Sequence, residues 1–229
     1  MNIQFDPDRV RAVLFDLDGT LANTDDAYVN RLARLLRMFK RKSNARTLAR
    51  RLVMFAETPT NALLNLFDRL ALDELFSPAF SALHRLRGEN SPNRIQLIPG
   101  AQDALRTLTK LFPLGLVTSR EQQSTFNILG TTGITPYFAC VATARTCRRS
   151  KPHPAPVLWA ADQIGVPPGS CLLVGDTTVD IRAGIAAGAQ TVGLLCGFGE
   201  RLELERAGAH LILETPYNLV DILTREINP

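Results

Sequence analysis

The hydrophobic pattern changes character twice along the chain. Residues 10–17 read as a short buried strand, because an apolar run ends abruptly at two acids, Asp16 and Asp18. From Asn23 to about Gly88 the period becomes helical. Tyr28, Leu32, Leu35, Leu36 and Phe39 recur at helical spacing, and Leu48, Leu52 and Phe55 continue it. Thr58-Pro59 and Ser77-Pro78 each read as a cap followed by proline at the first helical position. This stretch predicts a small helical domain of about four helices and no strand. Beyond "IQLIPG" helix and short strand alternate. "AQDALRTLTKLF", a helix around Glu121–Leu129, "PAPVLWAADQIG", "VDIRAGIAAG" and "RLELERAG" are helical. "PLGLVTS", "YFACVAT", "CLLVGD", "TVGLLCG" and "AHLIL" are strands. Such alternation predicts an α/β parallel sheet covered on both faces. The expected division is a core of residues 1–21 and 94–229 with a helical domain, residues 22–93, inserted after the first strand. The junctions near Leu21 and near Ile98-Pro99-Gly100 are expected to act as hinges. No internal repeat or low-complexity segment interrupts this plan.

Composition narrows the class. The 229 residues are 45% hydrophobic and 21% charged, enough apolar content for a packed core and too much for a disordered chain. The net charge of +4 fits anionic substrates. Basic residues between Arg31 and Arg51 lack interleaved aromatics and read as a solvated helical face, so no nucleic-acid partner is expected. The N-terminus does not resemble a signal peptide, and no apolar run has membrane-spanning length. Cys140, Cys147, Cys171 and Cys196 form no CxxC pair and read as reduced thiols of a cytoplasmic protein with no membrane partner.

The candidate chemistry lies at strand ends. In open parallel sheets ligands bind outside the carboxyl ends of the strands. Asp16 and Asp18 end the first strand, and residues two apart on a strand share a side, so both could face one cation. Thr118 and Ser119 end "LGLVTS". Lys151 opens "KPHP" after the third strand. Asp176 ends "CLLVGD", with Asp180 four residues on at a helix start. Each has an ordinary structural explanation: a turn for Asp-x-Asp-Gly, a cap for Thr118 or Asp176, a solvated loop for Lys151, a dipole-favoured acid for Asp180. Their coincidence on one sheet edge favours a reaction centre.

"FDLDGT", "VTS", "KPHP" and "GDTTVD" follow the order of the four motifs of the haloacid dehalogenase-like (HAD) superfamily, which the chain resembles over nearly its whole length. The closing "GFGERLELERAGAHLILETPYNLVDIL" is similar to the tail of its phosphoglycolate phosphatase-like members, and the helical insert resembles their C1-type cap. The resemblance implies a Rossmann-like parallel-sheet core with a small all-helical cap. It implies a phosphatase acting on a small phosphorylated metabolite, with Mg²⁺ as cofactor. Asp16 would be the nucleophile that forms an aspartyl phosphate. Asp18 would be the acid that protonates the leaving oxygen and then the base that activates water. The Asp16 carboxylate, the Asp18 carbonyl and the Asp176 carboxylate would hold the metal, with Asp180 orienting Lys151 or a metal-bound water. Thr118, Ser119, Gly19 and Lys151 would meet the phosphoryl group, Lys151 as a point cation. In the cap, Glu57, Thr58 and Asn61 of "FAETPTN" would read the leaving group. Leu17 would point into the core.

The sequence departs from the family pattern at Asn23-Thr24, where Asp or a similar residue is frequent, and at Ser119, where Asn is frequent. Arg145, Arg148 and Arg149 make the segment before Lys151 unusually basic, with solvation and substrate contact both open to them. A pyrophosphatase or sugar phosphomutase on the same scaffold is the alternative chemistry, and a non-catalytic sensor or regulatory protein the alternative class. Asp18 argues against dehalogenation, which lacks an acid at that position. No His-Lys pair that a mutase cap would use is recognisable. Oligomeric state leaves no mark in the sequence.

Overall fold

The structure is a computed structural model and describes residues 5–23 and 95–224. The chain divides into two compact units, Met1–Asn23 with Ile95–Pro229, and Thr24–Arg94. The second unit lies outside the described residues, and with it the expected cap helices and the expected contacts of Glu57, Thr58 and Asn61.

The core unit runs through β1 (Ala12–Phe15), β2 (Ala22–Asn23), β3 (Gln96–Leu97), α1 (Ala101–Leu108), β4 (Leu114–Val117), α2 (Gln122–Thr132), β5 (Cys140–Ala142) and α3 (Ala155–Ile164). It continues through β6 (Cys171–Gly175), α4 (Thr178–Ala187), β7 (Gln190–Leu194), α5 (Arg201–Ala207), β8 (Leu211–Leu213) and α6 (Asn218–Thr224). Six strands form one sheet in the order β5-β4-β1-β6-β7-β8. All of its neighbours pair in parallel. From β1 the chain builds outward through β4 and β5, then returns to β6 on the other side of β1. That reversal opens a crevice at the carboxyl ends of β1 and β6, the place where such sheets hold ligands.

Alternation along β1 assigns the two faces. Val13 and Phe15 join one apolar cluster with Leu105, Leu108, Leu129 and Leu219. Ala12 and Leu14 join another with Val157, Ala160, Ala161 and Ala183. Burial on both faces explains the unbroken apolar run, and each fully buried Leu or Phe contributes roughly 1.5–3 kcal/mol. Leu17 is fully buried in the first cluster, as expected.

Two details differ from the sequence reading. β1 covers four of the eight residues expected, although the Asp16 N–H still donates to the Val174 carbonyl at 2.9 Å. Beyond Asp16 the chain turns, and Leu21 and Ala22 donate back to the Leu17 carbonyl. The two junctions also join one another. Ala22 pairs with Leu97 and Asn23 with Gln96, antiparallel, and the Ile98 N–H donates to the Leu21 carbonyl at 2.9 Å. Strands of two residues carry no periodicity, so the pattern could not announce this ribbon.

Candidate active site

At the end of β1 Asp16 is buried, and its Oδ1 accepts from Lys151 Nζ at 2.7 Å. The same ammonium donates to Asp180 Oδ1 at 2.5 Å. Asp180 is fixed in turn by its helix. Its Oδ2 accepts from the Thr177 N–H at 3.1 Å and the Thr177 hydroxyl at 2.6 Å, a capping box that opens α4. The ordinary reading of Asp180 as a helix-start acid and its contact with Lys151 therefore hold together, one oxygen for each. The helix cap is Thr177, not Asp176.

Asp176 leaves the end of β6 fully buried. Its Oδ1 accepts from the Thr20 hydroxyl at 3.1 Å, and its Oδ2 from the Phe198 N–H at 2.7 Å. Two glycines make room for it. Gly19 has φ 75°, and a Cβ there would lie 2.4 Å from Asp176 Oδ2. A Cβ on Gly197 would lie 2.0 Å from the same oxygen. The glycine after the acid pair thus serves the approach of Asp176 as well as the turn.

Asp16, Asp176 and Asp180 each bring an oxygen within 4.8 Å of the others. Three carboxylates against the single ammonium of Lys151 leave this cluster net negative. Burial pushes the Asp16 carboxyl up to about 8; Lys151 opposes the rise, and Asp180 and Asp18 add to it. Burial alone would lower Lys151, but Asp16 and Asp180 outweigh it and hold the ammonium above the ordinary lysine value. An all-oxygen, net-negative, buried donor set fits a hard divalent cation.

Thr118 is buried where β4 ends, and its hydroxyl accepts from the Arg120 N–H at 3.1 Å. Ser119 is half-buried in the same turn. Arg120 is the residue that the sequence reading missed. Its Nε donates to Asp18 Oδ1 at 3.1 Å and Oδ2 at 3.0 Å, and its Nη2 to Oδ1 at 2.6 Å. Nη1 donates to Ser124 Oγ at 2.8 Å. The signal available was a guanidinium directly after "VTS" in a chain whose second acid needs a partner. Thr20 and the Gly197-Phe198 turn were likewise missed; the glycines of "GFG" were their trace. Arg145, Arg148 and Arg149 are exposed, and Arg149 Nη1 lies 3.2 Å from His153 Nε2 of its own loop. Among the described residues none of the four cysteines forms a disulfide; Cys171 is buried and the others half-buried.

The sequence model of the haloacid dehalogenase-like hydrolases matches residues 13–194. The chain belongs to that family. It is 30% identical over 219 residues to a phosphoglycolate phosphatase of Escherichia coli O157:H7, covering 86% of each. It is 28% identical over 215 residues to a pyrophosphatase of Anoxybacillus flavithermus, covering 93% of this chain and 97% of that one. A HAD family hydrolase of Deinococcus radiodurans R1, solved with bound phosphate and sodium, superposes with a TM-score of 0.73 at 23% identity, covering 95% and 96% of the two chains. That likeness concerns the fold. The chain is an enzyme of the phosphatase kind, and no described helix is long and apolar enough to cross a membrane.

Proposed function

We propose that this enzyme is a Mg²⁺-dependent phosphatase of a small phosphorylated metabolite, phosphoglycolate phosphatase-like, working through an aspartyl phosphate on Asp16. The observation that carries the reading is the buried Asp16–Lys151–Asp180 chain with Asp176 beside it, at the crevice between β1 and β6. The Asp16 and Asp176 carboxylates and the Asp18 carbonyl would hold Mg²⁺, which would offset the charge of nucleophile and phosphoryl group. Asp180 keeps its contacts with Lys151 and Thr177 and positions the lysine.

Lys151 holds Asp16 in place and adds positive charge where the phosphoryl group arrives. An Asp16 oxygen attacks phosphorus, and the bond to the leaving oxygen breaks as Asp18 delivers a proton to that oxygen. Asp18 then takes a proton from water, the water oxygen attacks phosphorus, and the bond to Asp16 breaks. The Thr118 hydroxyl accepts from the backbone, which aims its own proton at a phosphoryl oxygen. In this reading residues 22–93 are the cap that selects the leaving group, through Glu57, Thr58 and Asn61, and the protein works in the cytoplasm.

A panel of phosphorylated metabolites tests the proposal. Turnover should be found among small esters, stop with chelator and return with Mg²⁺. Full activity in excess chelator would overturn the metal assignment. Pyrophosphate belongs on the panel, because the similarity to a pyrophosphatase covers nearly the whole chain. Its preferred turnover would favour that second reading.

A further inference from the structure

We propose that the loop 143–150 is an electrostatic guide, whose Arg145, Arg148 and Arg149 draw a phosphate anion toward a cluster that is itself net negative. This goes beyond the phosphatase reading above and rests on it.

The site has an admission problem. Asp16, Asp176 and Asp180 outnumber Lys151, and a phosphate ester is an anion. With a dication held by these acids the cluster would come only to neutrality. The Lys151 side chain is 3% exposed and occupied by two carboxylates. An attraction that reaches into solvent must come from charges outside the cluster.

The loop supplies them. From Gln122 to Ala161 the chain carries no acid, and its only Lys and Arg residues are Arg145, Arg148, Arg149 and Lys151. The three arginines are exposed, and none pairs with a carboxylate among the described residues. A structural role does not account for them, because like charges so close in the chain repel and no acid compensates them.

Their place is fixed from both ends. The loop leaves the carboxyl end of β5, two strand spacings from β1, or roughly 10 Å. It leads to Lys151, whose ammonium lies 2.7 Å from Asp16. Arg149 stands two residues before Lys151, so their Cα atoms are within roughly 7 Å. Such separations are about one Debye length at 0.1 M salt. Backbone holds the loop in shape. The Ala144 N–H donates to the Arg120 carbonyl at 3.0 Å, the Thr143 N–H to Thr146 Oγ1 at 2.8 Å, and the Thr146 N–H back to the Thr143 carbonyl at 3.0 Å. The positive charge is thus carried at the edge of the sheet where the ligand crevice opens.

Triple variants of the full-length chain test this. In Arg145→Gln/Arg148→Gln/Arg149→Gln, kcat/KM for 4-nitrophenyl phosphate should fall about tenfold at roughly 20 mM ionic strength and less than about twofold at roughly 0.5 M, through KM, with kcat nearly unchanged. The corresponding triple lysine variant keeps the charge and should stay within about twofold of the parent. Arg106→Gln/Lys110→Gln/Arg206→Gln removes as much charge from exposed positions near the ends of α1 and α5, by the amino ends of the strands, and should match the parent. A loss that does not fade with salt, that lysine does not prevent or that the distant triple reproduces overturns the proposal, as does no loss at all. Binding decides independently of turnover. Calorimetry with inorganic phosphate and Mg²⁺ should show the loop glutamine triple binding about tenfold more weakly at low salt and equally at high salt; unchanged binding at low salt overturns the guide. A parent enzyme that hydrolyses no phosphate ester would count against the phosphatase reading, while phosphate binding would still decide the role of the loop.

Discussion

Lys151 and Arg120 each hold one aspartate of the Asp16-Leu17-Asp18 pair, in surroundings that differ sharply. Lys151 is sealed between two buried carboxylates, and its ammonium has Asp180 behind it and Asp16 in front. Arg120 is partly exposed, and its guanidinium lies along both oxygens of one half-buried carboxylate. A point cation suits the first place because it must satisfy two acids from different elements. A planar fork suits the second because it must match two oxygens of one group. The difference separates a sealed charge from a partly exposed one. Removing a fully buried partner leaves an uncompensated charge, whereas a partly exposed pair keeps some access to water when one partner is lost.

The sharpest way to break this contrast is at Asp16, the proposed nucleophile. Asp16→Asn should lower turnover by about 10⁴-fold or more while the variant stays folded by circular dichroism. A folded Asp16→Asn variant with substantial turnover would remove Asp16 from the chemistry and the contrast with it.

Next in size is the stability difference between the two cations. Lys151→Met strands Asp16 and Asp180 in the interior and should cost about 3–5 kcal/mol in urea unfolding without metal. Arg120→Gln, at a pair that is partly exposed, should cost less, about 1.5–3 kcal/mol. Equal losses would mean that the two pairs do the same structural work.

Metal binding sharpens the picture further. In the proposed reading a proton and a dication would compete for Asp16, whose carboxyl is pushed up to about 8 by burial. The rise in Tm given by Mg²⁺ should therefore grow as pH increases toward 8 and shrink toward pH 5. A Tm shift independent of pH would argue that Asp16 is not a ligand.

The smallest effect lies at Thr191 of β7 and His210, just before β8, away from both cations. The Thr191 N–H donates to His210 Nδ1 at 3.1 Å, and burial, with Arg9 nearby, lowers the folded-state value of His210. The unfolded chain then binds more protons near the ordinary value of 6.5, so this contribution is present at higher pH and is lost as pH falls through that value. His210→Gln should flatten the decline of Tm between about pH 7 and 5. An unchanged decline would assign it to other groups.

Much of this molecule was legible without coordinates. An apolar run stopping at Asp16, and helices alternating with short strands through the second half, specify a parallel sheet because strands buried on both faces need continuous apolar residues. The strand ends then bring Asp16, Thr118, Lys151 and Asp176 to one edge, since in a parallel sheet every carboxyl end lies on the same side. Local sequence could say no more than that these groups share an edge. Which acid Lys151 binds, how Asp180 divides its oxygens, and why Gly197 must stay small depend on contacts between residues far apart in the chain. Arg120 is the clearest case. Its partner Asp18 lies 102 residues away, and hydrophobic periodicity records which face of an element is buried, never which distant charge a side chain will meet.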